Sequence, residues 1–208
     1  MAKIYDVWPF DADEALRRRQ ETALEIGKPV EKVVSLGYDV TEGWLIFKKT
    51  IHVDCPMRFI LIPAGEFMMG SPTNEAGRRE NEGPLHRVRI SKPFYMSVAP
   101  VTEGQFNALM GKPPRPGKLD PELPVSTVSF QDWQDFAKKL SGQEFVKARL
   151  AREAEWEYAC RAGSDAAYFF GSEDIGLAAH AVQGLKDPPR IPVGTKAPNA
   201  WGDRKSVV

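Results

Sequence analysis

The sequence predicts an irregular, loop-rich α+β domain. Short runs of β-branched and aromatic residues alternate with a few helical patterns, and no internal repeat is present. Seventeen glycines and 17 prolines lie mostly between these segments, while hydrophobic residues make up 42% of the chain. This composition favours a folded chain with long connections over a disordered one. A length of 208 residues suffices for one domain with an extension.

Charge and hydropathy argue against several kinds of partner. The 28 basic and 28 acidic residues cancel, which argues against nucleic acid or an acidic membrane as the main partner. The first 15 residues lack the apolar segment of a signal peptide. Apolar runs such as residues 59–62 are far too short to cross a membrane. We therefore expect a cytoplasmic protein without a nucleic-acid or membrane partner.

The first helix is predicted from Asp11 to Gly27, because acidic residues crowd its first turn and Pro29 prevents its continuation. The basic run 17–19 inside it is surrounded by acidic residues, so we interpret it as a solvated charged face rather than a phosphate-binding patch. Six strands are predicted from β-favouring runs, with a turn at 37–39 between the first two. They cover residues 33–36, 44–47, 57–62, 66–70, 86–90 and 93–98.

Two further helices carry capping-box spacing at their starts. Thr102 precedes Gln105 by three positions, and Ser129 precedes Asp132 by the same spacing. The second of these helices continues to Leu140 with an amphipathic repeat of apolar residues at Phe130, Trp133, Phe136, Ala137 and Leu140. The proline-rich residues 112–124 and most of the chain after residue 168 are predicted to be loops.

A fourth helix is predicted over residues 153–161, with Gly163 as its left-handed C-cap. The apolar residues Trp156 and Tyr158 are expected to have core roles, and Glu157 precedes Arg161 by the four residues of a surface ion pair.

Few residues suggest chemistry by their spacing. His52, His86 and His180 are far apart and lie in no metal-binding motif. The acidic side chains of the fourth helix, Glu153, Glu155 and Glu157, fit solvated or capping roles better than a pair of glycosidase carboxylates, since only the first and third share a face.

The chain has two cysteines, Cys55 and Cys160. They could pair with each other, but two thiols define neither a disulfide framework nor a four-ligand zinc site. We interpret Cys160 as a small buried hydrophobe. Phosphate-binding glycine loops and a G-x-S-x-G motif are absent from the sequence, so we assign no catalytic, cofactor-binding or metal-binding residue.

Five ordered segments nevertheless resemble the formylglycine-generating enzyme family, also called the sulfatase-modifying-factor domain. They are FILIPAGEFMMGSP (59–72), EGPLHRVRI (82–90) with PFYM (93–96) and VT (101–102), LPVSTVSFQD (123–132), RL (149–150) with EAEWEYACRAG (153–163), and IPVG (191–194) with PNAWG (198–202). The resemblance implies an irregular fold related to C-type lectins. It also implies bound calcium and copper, and oxidation of a cysteine in a C-x-P-x-R protein or peptide substrate to formylglycine.

The sequence departs from the family pattern in several places. The family's G-N-x-W-E-W segment and its paired copper-binding cysteines are absent, so we expect no assured cofactor and no activity of this chain by itself. Ala151 and Arg152 replace the usual Pro-Thr before the fourth helix, which we expect to cost roughly 1 kcal/mol of capping. His180 falls near a family calcium ligand, and a neutral imidazole is a poor ligand for calcium.

We expect three segments: an N-terminal extension with one helix and short strands (1–56), a sulfatase-modifying-factor-like domain (57–202), and a non-native tail (203–208) that a sequencing-adapter sequence could encode. Two functions remain open. The parent protein is a formylglycine-generating oxidoreductase whose catalytic part this chain lacks, or the domain is a non-catalytic ligand- or protein-binding module on a lectin-like scaffold.

Overall fold

The structure, a computed structural model, describes residues 2–44, 47–112, 119–143, 147–173, 175–182 and 190–204. Its helices are α1 (Ala12–Ile26), α2 (Glu103–Met110), α3 (Phe130–Ser141), α4 (Glu153–Arg161) and α5 (Leu177–His180). Its strands are β1 (Glu31–Val34), β2 (Gly37–Trp44), β3 (Phe47–Asp54), β4 (Met57–Ile62), β5 (Gly65–Met69), β6 (His86–Ile90) and β7 (Phe94–Ser97). The predicted irregular α+β class is confirmed.

Three small antiparallel sheets organise the strands. One has the order β1-β4-β7, and the hairpins β2-β3 and β5-β6 form the other two. The longest helix in the described ranges, α1, has 15 residues. Within those ranges no helix combines the length and the apolar character needed to cross a membrane.

The predicted helices are confirmed, and their caps agree with the sequence signals. The side chains of Asp11, Thr102 and Ser129 each accept a backbone hydrogen bond at the start of α1, α2 and α3. The end of α4 differs from the prediction, because Ala162 rather than Gly163 is the left-handed cap, with φ of 48°.

The prediction was wrong for the hairpin β2-β3. Gly37–Asp39, predicted as a turn, opens strand β2, and β3 covers a polar run that was not predicted as a strand. Gly37 pairs with Asp54, and the pairing continues from there toward the tip of the hairpin. The predicted strand 44–47 therefore falls at this tip, where residues 45–46 lie outside the described residues. The sequence here does not show the alternation of apolar and polar residues that predicts a strand, because threonines and lysines are frequent. They are tolerated since neither face of a two-stranded ribbon is deeply buried.

Strand β4 separates two hydrophobic cores. Because neighbouring side chains on a strand point to opposite faces, Ile60 and Ile62 enter one core while Met57 and Phe59 enter the other. The first core includes Tyr158 of α4, and the second includes the α3 side chains Phe136 and Leu140. One strand therefore fixes α4 and α3 on opposite sides of the sheet.

The residues before α1 are part of the first core. Tyr5 forms a parallel bridge with Gly65, and its carbonyl accepts a 2.8 Å hydrogen bond from the Glu66 N–H. The N–H of Phe10 donates to the carbonyl of Gly163 over 3.0 Å. The N-terminal segment is thus packed against the sequence region that resembles the family.

The prediction of a solvated face was wrong for two of the three arginines in α1. Arg18 and Arg19 are only 1% and 8% exposed, whereas Arg17 is exposed and pairs with Glu14 and Glu21. The Arg18 guanidinium lies 4.1 Å from the ring centroid of Phe10 and also donates to Glu14 over 2.7 Å. A charge count along the sequence does not distinguish an arginine that packs on aromatic rings from one in solvent.

Candidate functional site

A cavity of about 430 Å³ opens between the second core and the start of α4. Strands β4 and β7 form its floor, α3 forms one wall, and residues 147–151 with the first turn of α4 form the other. Most of its lining is apolar, contributed by Met57, Phe59, Phe94, Met96, Val101, Trp133, Phe136, Ala137, Leu140, Leu150 and Trp156. Its size and lining are typical of small-molecule sites.

The floor follows from the alternation of β4. Met57 and Phe59 are 4% and 7% exposed and lie on the face of β4 that points away from α4. Phe59 pairs with Ser97 across the ladder between β4 and β7, which places β7 beside it.

The α3 wall follows from its amphipathic pattern. Trp133, Phe136 and Leu140 lie on one face of the helix, and Phe106 of α2 stacks on Phe136 with ring centroids 5.7 Å apart. A hydrogen bond from Lys139 Nζ to the Leu109 carbonyl holds α3 against α2, and the Ser129 side chain caps the start of α3. The wall is therefore fixed by both packing and hydrogen bonds.

Among the described residues that line the cavity, three are charged, and two of these, Lys147 and Arg149, are exposed at its rim. Arg149 donates through both terminal nitrogens to the carboxylate of Glu155, over 2.7 and 2.6 Å. This contact is the main reason that the pKa of Glu155 is lowered, and Glu155 in turn raises the pKa of Arg149. The two charges offset each other. Lys147 also lines the cavity and is exposed.

Trp156 lies at the mouth of this cavity. It is 37% exposed, so its predicted core role is wrong, whereas Tyr158 is fully buried as predicted. The two residues point to different sides because they are two positions apart on a helix, about 200° around its axis.

Tyr158 requires a glycine on the neighbouring strand. A Cβ atom at Gly65 would lie 2.4 Å from the Tyr158 hydroxyl oxygen. Burial raises the pKa of Tyr158 well above its usual value. The P-A-G segment that leads into β5 therefore allows the strand to pack against α4.

Glu157 and Arg161 of α4 hold the end of β5. Glu157 Oε1 accepts hydrogen bonds from the Gly70 N–H over 2.9 Å and from Arg161 Nε over 2.8 Å. Arg161 Nη2 donates to the Gly70 carbonyl over 2.7 Å. Their side chains are 14% and 8% exposed, so this is a largely buried pair and not the predicted surface pair.

Asn199 closes the other end of α4. Its Nδ2 donates to the carbonyls of Ala159 and Cys160, over 2.7 and 3.1 Å. Its Oδ1 accepts from the N–H groups of Trp201 and Asp203. The segment 198–202, noted in the sequence only for its resemblance, is thus a buried cap for α4 carbonyls.

The three histidines occupy separate places. His52 Nδ1 lies 2.7 Å from the Asp39 carboxylate on an exposed hairpin, and this hydrogen bond is the main reason that its pKa is raised. His86 Nδ1 lies 2.7 Å from the Pro84 carbonyl. His180 stacks on Phe170 with centroids 4.3 Å apart.

The two cysteines do not form a disulfide, and both are buried. Burial raises the pKa of the Cys55 thiol, which lies beside Gly104 of α2. Cys160 lies inside α4 and is 1% exposed, as predicted for a buried hydrophobe.

The donor set in the described ranges does not supply the pair of thiolates that the implied copper would need. No three His, Cys, Asp or Glu side chains there are grouped so as to hold an ion. The buried carboxylate of Glu66 is paired with Arg87 and Arg89, and that of Glu103 with Arg190. Two separate buried thiols do not supply a copper dithiolate.

Residues 48–205 match the model of the sulfatase-modifying factor enzyme 1-like domain. The chain therefore belongs to this family. The match includes residues 48–56 of the expected extension and residues 203–205 of the expected tail.

Two relatives extend this result. A formylglycine-generating enzyme of Streptomyces coelicolor is 26% identical over 55% of this chain and 50% of its own length. The structure of PvdO from Pseudomonas aeruginosa matches with a TM-score of 0.59 and 31% identity, over 71% of this chain and 66% of that one. The chain thus spans about half of the curated relative and about two thirds of the solved one.

The cavity was not predicted from the sequence. The alternation of Met57 and Phe59 on one strand, together with the apolar stripe of α3, was visible and predicts facing apolar surfaces. It does not predict that these surfaces leave a gap, since the spacing between them depends on residues 147–151.

Proposed function

We propose that this domain is a binding module of the sulfatase-modifying-factor family, and that its cavity binds the apolar part of a small molecule. The observation that carries this proposal is the cavity of about 430 Å³ with an apolar lining between β4, β7 and α3. A pocket of this size with few polar groups at its rim fits a small ligand better than a flat protein surface.

The proposal is tested by titrating the protein with straight-chain alcohols of increasing length in a calorimeter. We expect affinity to rise about fourfold with each added methylene until the cavity is full, because each buried methylene contributes about 0.8 kcal/mol. Ala137→Phe places a ring in the cavity and should weaken binding at least tenfold. Gln134→Phe adds the same ring on the exposed face of α3 and should leave binding unchanged.

Equal effects of the two substitutions, or affinity independent of chain length, would place the alcohol elsewhere on the surface. Thermal unfolding of each variant without ligand shows whether a loss of binding reflects a loss of folding.

A second candidate function is oxidation of a substrate cysteine to formylglycine by the whole protein, with copper and calcium as the resemblance implies. The observation that favours it is the match to the Streptomyces coelicolor formylglycine-generating enzyme. Incubating this chain with Cu(I), oxygen and a C-x-P-x-R peptide should give no aldehyde, because Cys55 and Cys160 are both buried and separate. Aldehyde in the mass spectrum would assign the oxidase activity to this chain.

A further inference from the structure

We propose that the ligand of this cavity is an amphiphile with an apolar chain and a carboxylate at one end, and that Lys147 binds the carboxylate. This inference rests on the proposed binding function and adds the chemical class of the ligand.

The charges around the cavity differ in whether they are already paired. Among the described residues that line it, three are charged, namely Lys147, Arg149 and Glu155. Arg149 and Glu155 form a bidentate pair, and Glu155 also accepts a hydrogen bond from the Arg152 N–H over 2.9 Å. The Arg149 and Glu155 side chains are therefore already paired with each other within the protein.

The remaining charged residue is Lys147. In the described ranges Lys147 makes neither an ion pair nor a side-chain hydrogen bond. Its ammonium group can therefore meet an anion at the rim without giving up a contact. The floor of the cavity, formed by Met57 and Phe59, offers apolar side chains to the rest of the ligand.

These two features favour one arrangement of ligand. A charged group is costly to bury in the apolar interior, so the chain enters the cavity and the carboxylate stays at the rim. An alcohol of the same length fills the same space but gains no ion pair. An alkylammonium of the same length meets Lys147 with like charge.

The experiment compares decanoate, 1-decanol and decylammonium near neutral pH by calorimetry on the full chain. The two ionic probes are kept below their micelle concentrations and 1-decanol below its solubility limit. We expect decanoate to bind about fivefold more tightly than decanol, since a partly exposed ion pair is worth up to about that factor. Lys147→Gln should abolish this preference while leaving decanol affinity unchanged. Lys147→Glu should reverse it in favour of decylammonium. Lys138→Gln, on the exposed side of α3, is the matched control and should behave like the unmodified protein.

The outcomes separate the two proposals. Equal affinity for decanoate and decanol, or a decanoate preference that survives Lys147→Gln, overturns the carboxylate assignment and leaves the apolar site standing. Failure of all three probes to bind overturns the site itself. A response to anionic vesicles without a response to free decanoate would assign Lys147 to a membrane surface and also overturns the inference.

Discussion

Individual residues of the α4 signature act as structural connections. Glu157 and Arg161 join the helix to Gly70 at the end of β5 through two hydrogen bonds, and a third joins the two side chains to each other. Tyr158 fills the first core and lies against Gly65, where a side chain would collide. The signature thus explains how α4 is fixed to the sheet.

Breaking the connection at Gly70 should be costly. Glu157→Gln removes the charge that Arg161 pairs with, so we expect a loss of roughly 2–3 kcal/mol in the free energy of unfolding. Urea unfolding measures it. Glu153→Gln is the control, because Glu153 is an exposed residue of the same helix and should cost less than about 0.5 kcal/mol. Equal losses would contradict this role of Glu157.

The carboxylate of Glu14 predicts a dependence of stability on pH. Hydrogen bonds from Arg17 and then Arg18 lower its pKa from 4.5 to about 2. Because the pKa is lower in the folded state than in the unfolded state, the ionised carboxylate stabilises the fold when the pH lies above the ordinary pKa. This contribution is lost as the pH falls from 4.5 to about 2. The stability difference between the protein and Glu14→Gln should therefore shrink over that range in urea unfolding series. A difference independent of pH would show that the carboxylate is not stabilised by these arginines.

The features that fix the helices differ in how readily they can be recognised from the sequence. The caps of α1, α2 and α3 were predictable, because a capping side chain and its backbone partner are three residues apart in the sequence. The burial of Arg18 was not predictable, because it depends on Phe10 and on the route of the chain before α1. The hairpin β2-β3 was missed for a similar reason, since its strands carry few apolar residues.

Helix α1 allows a buried arginine to be compared with an exposed arginine of the same helix. Arg18→Met removes the cation from Phe10 and Glu14 in a buried setting, and we expect a loss of roughly 2–3 kcal/mol. Arg17→Met removes an exposed cation from the same helix and should cost less than about 1 kcal/mol. The midpoint of denaturant unfolding measures both losses, provided that the slope of the unfolding free energy against denaturant concentration is unchanged. A larger loss for Arg17 would contradict the burial of Arg18.

The start of α4 leaves room for stabilisation. Arg152 occupies the N-cap with an extended backbone, φ −73° and ψ 156°, and its side chain makes no capping hydrogen bond. Arg152→Thr supplies the missing hydroxyl acceptor and should add about 1 kcal/mol to the unfolding free energy. Arg152→Ala lacks the acceptor and should add nothing. A gain for alanine equal to that for threonine would assign the effect to removal of the arginine.

On the scale of the whole molecule, one strand organises two cores and one cavity. Residues 60 and 62 of β4 fix α4 and the N-terminal segment, while residues 57 and 59 face α3 and the cavity. Sequence reasoning reached the α+β class and the family, because local patterns and ordered motifs determine them. It did not reach the cavity or the exposure of Trp156, because both depend on how residues 147–151 pass between α3 and α4.

The cavity can be tested most directly through the methionine methyl groups. The chain has six methionines, of which Met57 lines the cavity as part of the second core, whereas Met68 is 37% exposed on β5 and does not line it. Titration with 1-decanol, followed by NMR of ¹³C-labelled methionine methyls, should shift the Met57 signal along a saturating curve and leave Met68 in place. A saturating shift confined to Met68, or no saturating shift at Met57, would contradict a ligand site in this cavity.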